Sequence, residues 1–314
     1  MSKAGLTLAL TTLIVVSIAW AVPVVGTAQQ RVHQSPTVSV ATKIPRPIRF
    51  REVQDRGLLV SAWINGSGPY ILAIDTGAGM SIVSPSLVSR AAVPVHKAYQ
   101  TFQGGLTGSS IVSDQEGTIQ VLALGSPDNE LPGGLLAAVA PGLPSGVDGV
   151  LDPTEAFRPL GYSIDLPGRE LQAFNPKALP LHTGDVPEGG TVVHWIRERA
   201  DSRPFVRLGD GRLALLDTGS GFGLAFSDEN PIGGLNHGKP IRSVSDLGGG
   251  SVQSRRVAPV TVSIGDLVLR GVPTDVLTGV ASDTPVILGR GALYPFRITF
   301  DPTAKLIAIE PSQN

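Results

Sequence analysis

The tripeptide Asp-Thr-Gly occurs twice, at Asp75-Thr76-Gly77 and Asp217-Thr218-Gly219, and each copy ends the same local pattern. The first comes after an apolar run over 58–64, an Asn65-Gly66-Ser67-Gly68 turn signal and a second apolar run over 71–74. The second comes after Phe205-Val-Arg-Leu208, a Gly209-Asp210-Gly211 signal and the run 213–216. Asn-Gly or Asp-Gly between apolar runs reads as a β-hairpin, so each tripeptide sits where a hairpin's second strand ends. Two chance copies have a probability below about one per cent at average residue usage. The shared hairpin context makes this an internal duplication.

The segments beyond the two tripeptides repeat in the same order. After the first come a short helix signal from Pro85 to Ala92, a Gly-rich stretch at 103–109, an alternating strand over 117–124, and Gly149-Val-Leu-Asp152. A strand pair over 162–165 and 171–174 closes this repeat across the Pro167-Gly168 turn. After the second come a Gly-rich stretch at 246–252, strands over 260–264 and 267–269, and Val286-Ile-Leu-Gly289. It closes with strands over 296–301 and 306–309. Asp75 to Gly104 spans 29 residues and Asp217 to Gly248 spans 31, a difference of loop size only. Two similar all-β lobes are expected, 51–174 and 191–314, joined by a Pro- and Gly-rich linker over 175–190.

Composition agrees. Apolar residues make up 42% and charged residues 16% of the 314, with 38 Gly and 26 Pro, which suits many short strands joined by turns. A net charge of -1 offers no electrostatic footing for nucleic acid. The absence of cysteine excludes disulfides and thiolate metal sites. The apolar run from Ala4 to Val25, then Gly26-Thr27-Ala28, reads as an export signal over 1–28, with an uncleaved membrane anchor as the alternative. Either way the rest of the chain is exported, to the periplasm or beyond. Residues 29–50, punctuated by Pro36, Pro45 and Pro47, read as a flexible arm.

An Asp that ends a buried strand is a costly place for a charge. Gly after it lets the backbone turn tightly and brings main-chain N–H groups to the carboxylate, and the intervening Thr hydroxyl can cross-link to a neighbouring loop. If the lobes pack about a pseudo-twofold axis, Asp75 faces Asp217. Two carboxyls at hydrogen-bonding distance share a proton, so one can act as base toward water while the other donates to a carbonyl. That arrangement hydrolyses an amide without a covalent intermediate.

The two Asp-Thr-Gly motifs, their hairpins and Ile287-Leu288-Gly289 resemble those of the aspartic peptidases, most nearly the bacterial retropepsin-like aspartyl proteases, over roughly residues 55–311. The resemblance implies a bilobal acid-protease fold, two β-barrel-like lobes with the active site between them. Both lobes lie in one chain, as in pepsin-like enzymes, so no second copy is needed. It also implies a catalytic pair Asp75 and Asp217, supported by Thr76, Gly77, Thr218 and Gly219. The substrate would be a peptide or protein, without cofactor or metal, held under flaps at Gly104, Gly105 and Leu106 and at Gly248 and Gly249. The alternative is a silent protein that keeps the fold and only binds peptides.

Two features depart from the family pattern. Asp152 stands where the first lobe should offer Gly, and is read as a turn residue. Neither Gly-rich stretch carries a Tyr, the nearest being Tyr99. Other chemistry finds little support. Residues 233–239 fit most of a phosphate loop, but Pro240 stands where Ser or Thr is required. The five histidines lack zinc-ligand spacing, and no Gly-x-Ser-x-Gly elbow occurs.

Overall fold

In a computed structural model of the chain, Gly57–Ile64 and Ser67–Ile74 pair as an antiparallel hairpin. Asn65 and Gly66 at its turn have φ of 51° and 79°, the left-handed geometry that matches a two-residue turn to strand twist. The second predicted hairpin forms between Phe205–Arg207 and Leu213–Asp217, with Gly211 at φ 89°. The structure describes residues 43–108, 111–197, 202–229, 242–245, 250–281 and 283–313. The export signal, residues 29–42 of the arm, Gly248, Gly249 and the phosphate-loop pattern lie outside them. No helix among the described residues is long and apolar enough to cross a membrane.

The chain is mostly β, with three sheets among the described residues. The first, of nine strands, draws only on residues 51–151. Seven of its strands run in the order Gly57–Ile64, Ser67–Ile74, Gly149–Leu151, Ser81–Val83, Leu135–Val139, Ile111–Ile119, Val95–Gly104. The second sheet repeats this order with Phe205–Arg207, Leu213–Asp217, Val286–Gly289, Leu224–Ser227, Leu267–Thr278, Ser251–Ile264 and Arg242–Ser245. The directions repeat too. Each Asp-Thr-Gly strand runs parallel to the later strand that ends at Leu151 or Gly289, and that strand is antiparallel to its other neighbour. Central strands enclosed on both faces need apolar residues throughout. This explains the unbroken apolar runs before each Asp and in Val286-Ile-Leu.

The third sheet joins the two halves. Its six strands run Ile48–Arg49, Glu170–Phe174, Gly161–Asp165, Phe296–Asp301, Leu306–Pro311, Thr191–His194. The closing strands of the two repeats therefore pair with each other, Tyr162 opposite Phe300 and Asp165 opposite Arg297. Tyr162 stacks on Phe300 with ring centroids 4.7 Å apart, and Trp195 meets Phe300 edge-on at 5.9 Å. One apolar core runs through both halves, from Leu58 and Ile74 through Tyr162 and Phe300 to Leu216 and Leu288. The described residues form one compact unit.

The arm is expected to run to residue 50, but the structure takes its last residues into the fold. Ile48 is 1% exposed and pairs with Leu171, Phe50 is buried, and the Arg46 amide donates to Asn129 Oδ1 at 2.8 Å. The apolar side chains at 48 and 50 override the proline-rich polarity before them. Residues 175–190 contain no helix or strand.

Candidate active site

Parallel pairing within each half brings the two Asp-Thr-Gly turns to the middle of the molecule, where they meet. Thr76 Oγ1 donates to the Leu216 carbonyl at 2.6 Å and accepts from the Thr218 amide at 3.0 Å. The Thr76 amide donates to Thr218 Oγ1 at 3.2 Å. Both threonines are fully buried, so these bonds form without competition from water. The glycines serve a second purpose: each lies under the other turn's carboxyl. A Cβ built on Gly77 would lie 2.7 Å from Asp217 Cγ, and one on Gly219 would overlap the Asp75 carboxyl outright. Only glycine permits this approach.

Asp75 and Asp217 thus come together, each carboxyl over the other turn's glycine. The Gly77 amide donates to Asp75 Oδ1 at 2.7 Å and the Ser220 amide to Asp217 Oδ1 at 2.9 Å. Burial and then the facing Asp217 charge push the Asp75 carboxyl well above the usual carboxylate range. Burial also raises Asp217, against the Asp75 hydrogen bond, the Ser220 amide and the nearby Arg290 guanidinium. These surroundings favour a proton on Asp75 over one on Asp217.

The surroundings explain that choice. The two strands that end beside the aspartates are continued by short helices, Pro153–Ala156 and Arg290–Leu293. Asp152 and Gly289 occupy matching positions as their N-caps. Asp152 is 1% exposed and accepts from the Thr154 amide at 2.9 Å and from Ser202 Oγ at 3.0 Å. It is a capping residue, which accounts for its departure from Gly; burial pushes its carboxyl up to about 6 against these two donors. At Gly289 a Cβ would meet the Phe222 and Ser220 carbonyls at 2.6 and 2.8 Å, so no side chain fits.

Arg290 instead reaches back under the second turn. Its Nη1 donates to the Thr218 and Gly219 carbonyls, and its Nε donates to Glu52 Oε1 in the first half at 3.1 Å. An acid beside Asp75 and a cation beside Asp217 break the near-symmetry of the pair in one direction.

The aspartates open into a cleft of about 1720 Å³ between the first and second sheets. Ile82, Phe102 and Ile111 line it from the first half and Phe222, Val244 and Ile287 from the second. Gly104, Gly105 and Leu106 lie at the tip of the hairpin formed by Val95–Gly104 and Ile111–Ile119, and line the cleft. The tip crosses the cleft. Leu106 packs against Phe222, Ala225, Leu277 and Ile287, and its carbonyl accepts from the Ala281 amide at 3.0 Å. Tyr99 is 98% exposed and does not line the cleft.

Among the described residues, no group of three or more His, Asp or Glu side chains is placed to hold a metal ion. Sequence reasoning did not single out Arg290, Ser202, Arg242 or Asp275. Only Arg290 had a local signal, its place directly after Ile287-Leu288-Gly289. No family model matches the chain, and no match to a curated protein is found.

Two substitutions test this geometry. Thr76→Val leaves the Thr218 amide and the Leu216 carbonyl unpaired in the core and is expected to cost about 2–3 kcal/mol in denaturant unfolding. Thr218→Val deprives one longer bond of its acceptor and is expected to cost about 1 kcal/mol. Equal losses would contradict the asymmetry.

Asp152 carries the pH prediction. Its folded carboxyl lies above its ordinary value, so the folded state binds the extra proton. The stability it contributes is full below about pH 4 and declines as the pH rises through 6, by about 3 kcal/mol in total. Asp152→Asn, which retains the capping oxygen, is expected to remove that part of the slope between pH 4 and 7. An unchanged slope would place the titration elsewhere.

Proposed function

We propose that the chain is an aspartic endopeptidase of bilobal acid-protease architecture, exported from the cell, which cleaves peptide or protein substrates. The observation that carries the reading is the meeting of two Asp-Thr-Gly turns from matched strand ends, with each carboxyl lying over the other turn's glycine where both line a cleft. The repeated strand order of the first two sheets supports a pseudo-twofold relation between lobes. A single chain supplies both halves of the site, so a monomer suffices.

In this reading Asp217, favoured as the carboxylate by Arg290 and the Ser220 amide, takes a proton from a water. That water's oxygen attacks the scissile carbonyl carbon while Asp75 gives its proton to the carbonyl oxygen, yielding a neutral tetrahedral diol. On collapse Asp217 passes its proton to the leaving nitrogen and Asp75 recovers one from a hydroxyl, so the C–N bond breaks and the pair is reset. The site needs no metal or redox cofactor for these steps. Because Asp75 must hold a proton, activity falls on the alkaline side.

The competing reading, a silent peptide-binding protein of the same fold, draws on the Leu106 tip that spans the cleft. A matched pair of peptides separates them: one with an ordinary amide, one with a secondary alcohol replacing the scissile carbonyl. An enzyme binds the tetrahedral alcohol at least about a hundredfold tighter, and that advantage is lost in Asp217→Asn. Equal affinity for the two peptides would favour the silent protein.

A further inference from the structure

The second half presents to the cleft two guanidiniums that the proposed hydrolysis does not use, Arg203 and Arg242. Arg242 lies on the Arg242–Ser245 strand and lines the cleft. Its Nη2 donates to Asp275 Oδ1 at 3.2 Å, its Nε to Ser254 Oγ at 3.5 Å, and its guanidinium lies 5.8 Å from the centroid of the Phe222 ring. Phe222 also lines the cleft, three residues after Gly219.

Asp275 is wholly buried and carries a second arginine, Arg256, whose Nε lies 3.0 Å from Asp275 Oδ2. Two guanidiniums on one carboxylate leave a surplus positive charge, and Arg256 does not line the cleft. The Arg242 side chain is 48% exposed, and its Nη1 has no partner among the described residues. Arg56, also in the cleft wall, lies on the exposed rim. Arg203 lies over the Phe205 ring, whereas Arg242 is held by Asp275, Ser254 and the Phe222 ring together. The planar Arg242 fork suits a carboxylate, which it can engage through charge-assisted hydrogen bonds. The acids of the cleft lie elsewhere: Glu52 is taken by Arg290, and neither Asp55 nor Asp283 forms an ion pair with Arg242.

We infer that Arg242 is a specificity-determining residue that binds a carboxylate of the peptide in the cleft, so that the preferred substrates are acidic near the cleavage point. This rests on the peptidase reading for its substrate. The carboxylate can come from a Glu or Asp side chain or from a peptide's free C-terminus.

The test uses full-length protein and peptides of about a dozen residues around one mapped cut site, long enough to fill an extended cleft. Glu is exchanged for Gln at each position in turn, with free or amidated C-termini. Cleavage is followed in the wild type and binding in Asp217→Asn, so the two readings fail separately. One Glu position is expected to improve binding and cleavage roughly fivefold to tenfold over Gln, an advantage reduced by salt. If the free C-terminus is the source, amidation abolishes the advantage instead. Arg242→Gln brings the ratio to about one, Arg242→Lys keeps part of it, and Arg256→Gln, which removes the surplus charge but leaves the Arg242 fork in the cleft, keeps more of it than Arg242→Gln does.

Cleavage or binding with no preference for a carboxylate, or a preference that survives Arg242→Gln, overturns the inference alone. Preferential binding without cleavage sustains it and overturns the peptidase. Absence of any peptide binding overturns both.

Discussion

If the proposed peptidase reading holds, Asp75→Asn and Asp217→Asn are each expected to reduce peptide hydrolysis by about 10²–10⁴-fold, the range for removing a group that moves a proton in the transition state. In that reading the two losses are expected not to add, because the carboxyls would act as one unit around one shared proton. Neither loss reflects unfolding. The Asp75 carboxyl is held well above its ordinary range by burial and the Asp217 charge, so the folded state binds its proton more tightly than the unfolded chain does. Its contribution to stability is therefore present at acidic pH and lost as the pH rises through the folded value. Asn carries no charge to lose, so Asp75→Asn is expected to match or exceed the wild type in stability at pH 7 to 8 while remaining inactive. A variant that is inactive and clearly less stable at pH 8 would mean that the pair is structural.

Removing both Arg242 and Arg256 has the largest expected effect on the fold. The Arg242→Gln/Arg256→Gln double variant leaves Asp275 wholly buried with a single hydroxyl partner, Ser254 Oγ at 2.8 Å, and no counter-charge. Stranding a buried charge costs about 3–5 kcal/mol. Either single substitution leaves the other guanidinium in place and is expected to cost only about 1 kcal/mol, so the double variant exceeds the sum of the singles. The reverse change is gentler. Asp275→Asn leaves both arginines, each more than two-fifths exposed, free to face water. Placed in the double-variant background, Asp275→Asn is expected to restore most of the lost stability. Denaturant unfolding of the single, double and rescued variants beside the wild type measures all of this, and additive losses without rescue would contradict it.

Local features were legible in the sequence and distant ones were not. Both Asp-Thr-Gly turns and the hairpins before them could be read because turn chemistry and apolar runs are local signals, and Asn65-Gly66 adopts the φ values those residues favour. The Gly-rich stretch at 103–109 was visible in the repeated spacing, but its place at a hairpin tip beside the cleft needed the structure. The joining sheet was not legible. Strand periodicity says that 161–165 and 296–301 are strands, but not that they pair with each other across more than a hundred residues.

The same limit hid the charges that support the site. Asp275 sits in an ordinary run of a long strand, Thr274-Asp275-Val276, and nothing nearby in sequence points to Arg242. Arg290 could have been suspected from its place after Gly289, but its bonds to the Thr218 and Gly219 carbonyls depend on the tertiary meeting of the turns. Asp152 was visible as a departure from pattern. Its cause, a helix cap facing Ser202, needed the structure.

The most direct measurement is a fragment map of an unfolded protein substrate incubated with the wild type and with Asp217→Asn across pH 3 to 8, read by mass spectrometry. Fragments are expected from the wild type alone, most abundant on the acid side and declining toward pH 8 as Asp75 loses its proton. Identical fragments from the variant, or none from the wild type at any pH, would contradict a peptidase built on the paired aspartates.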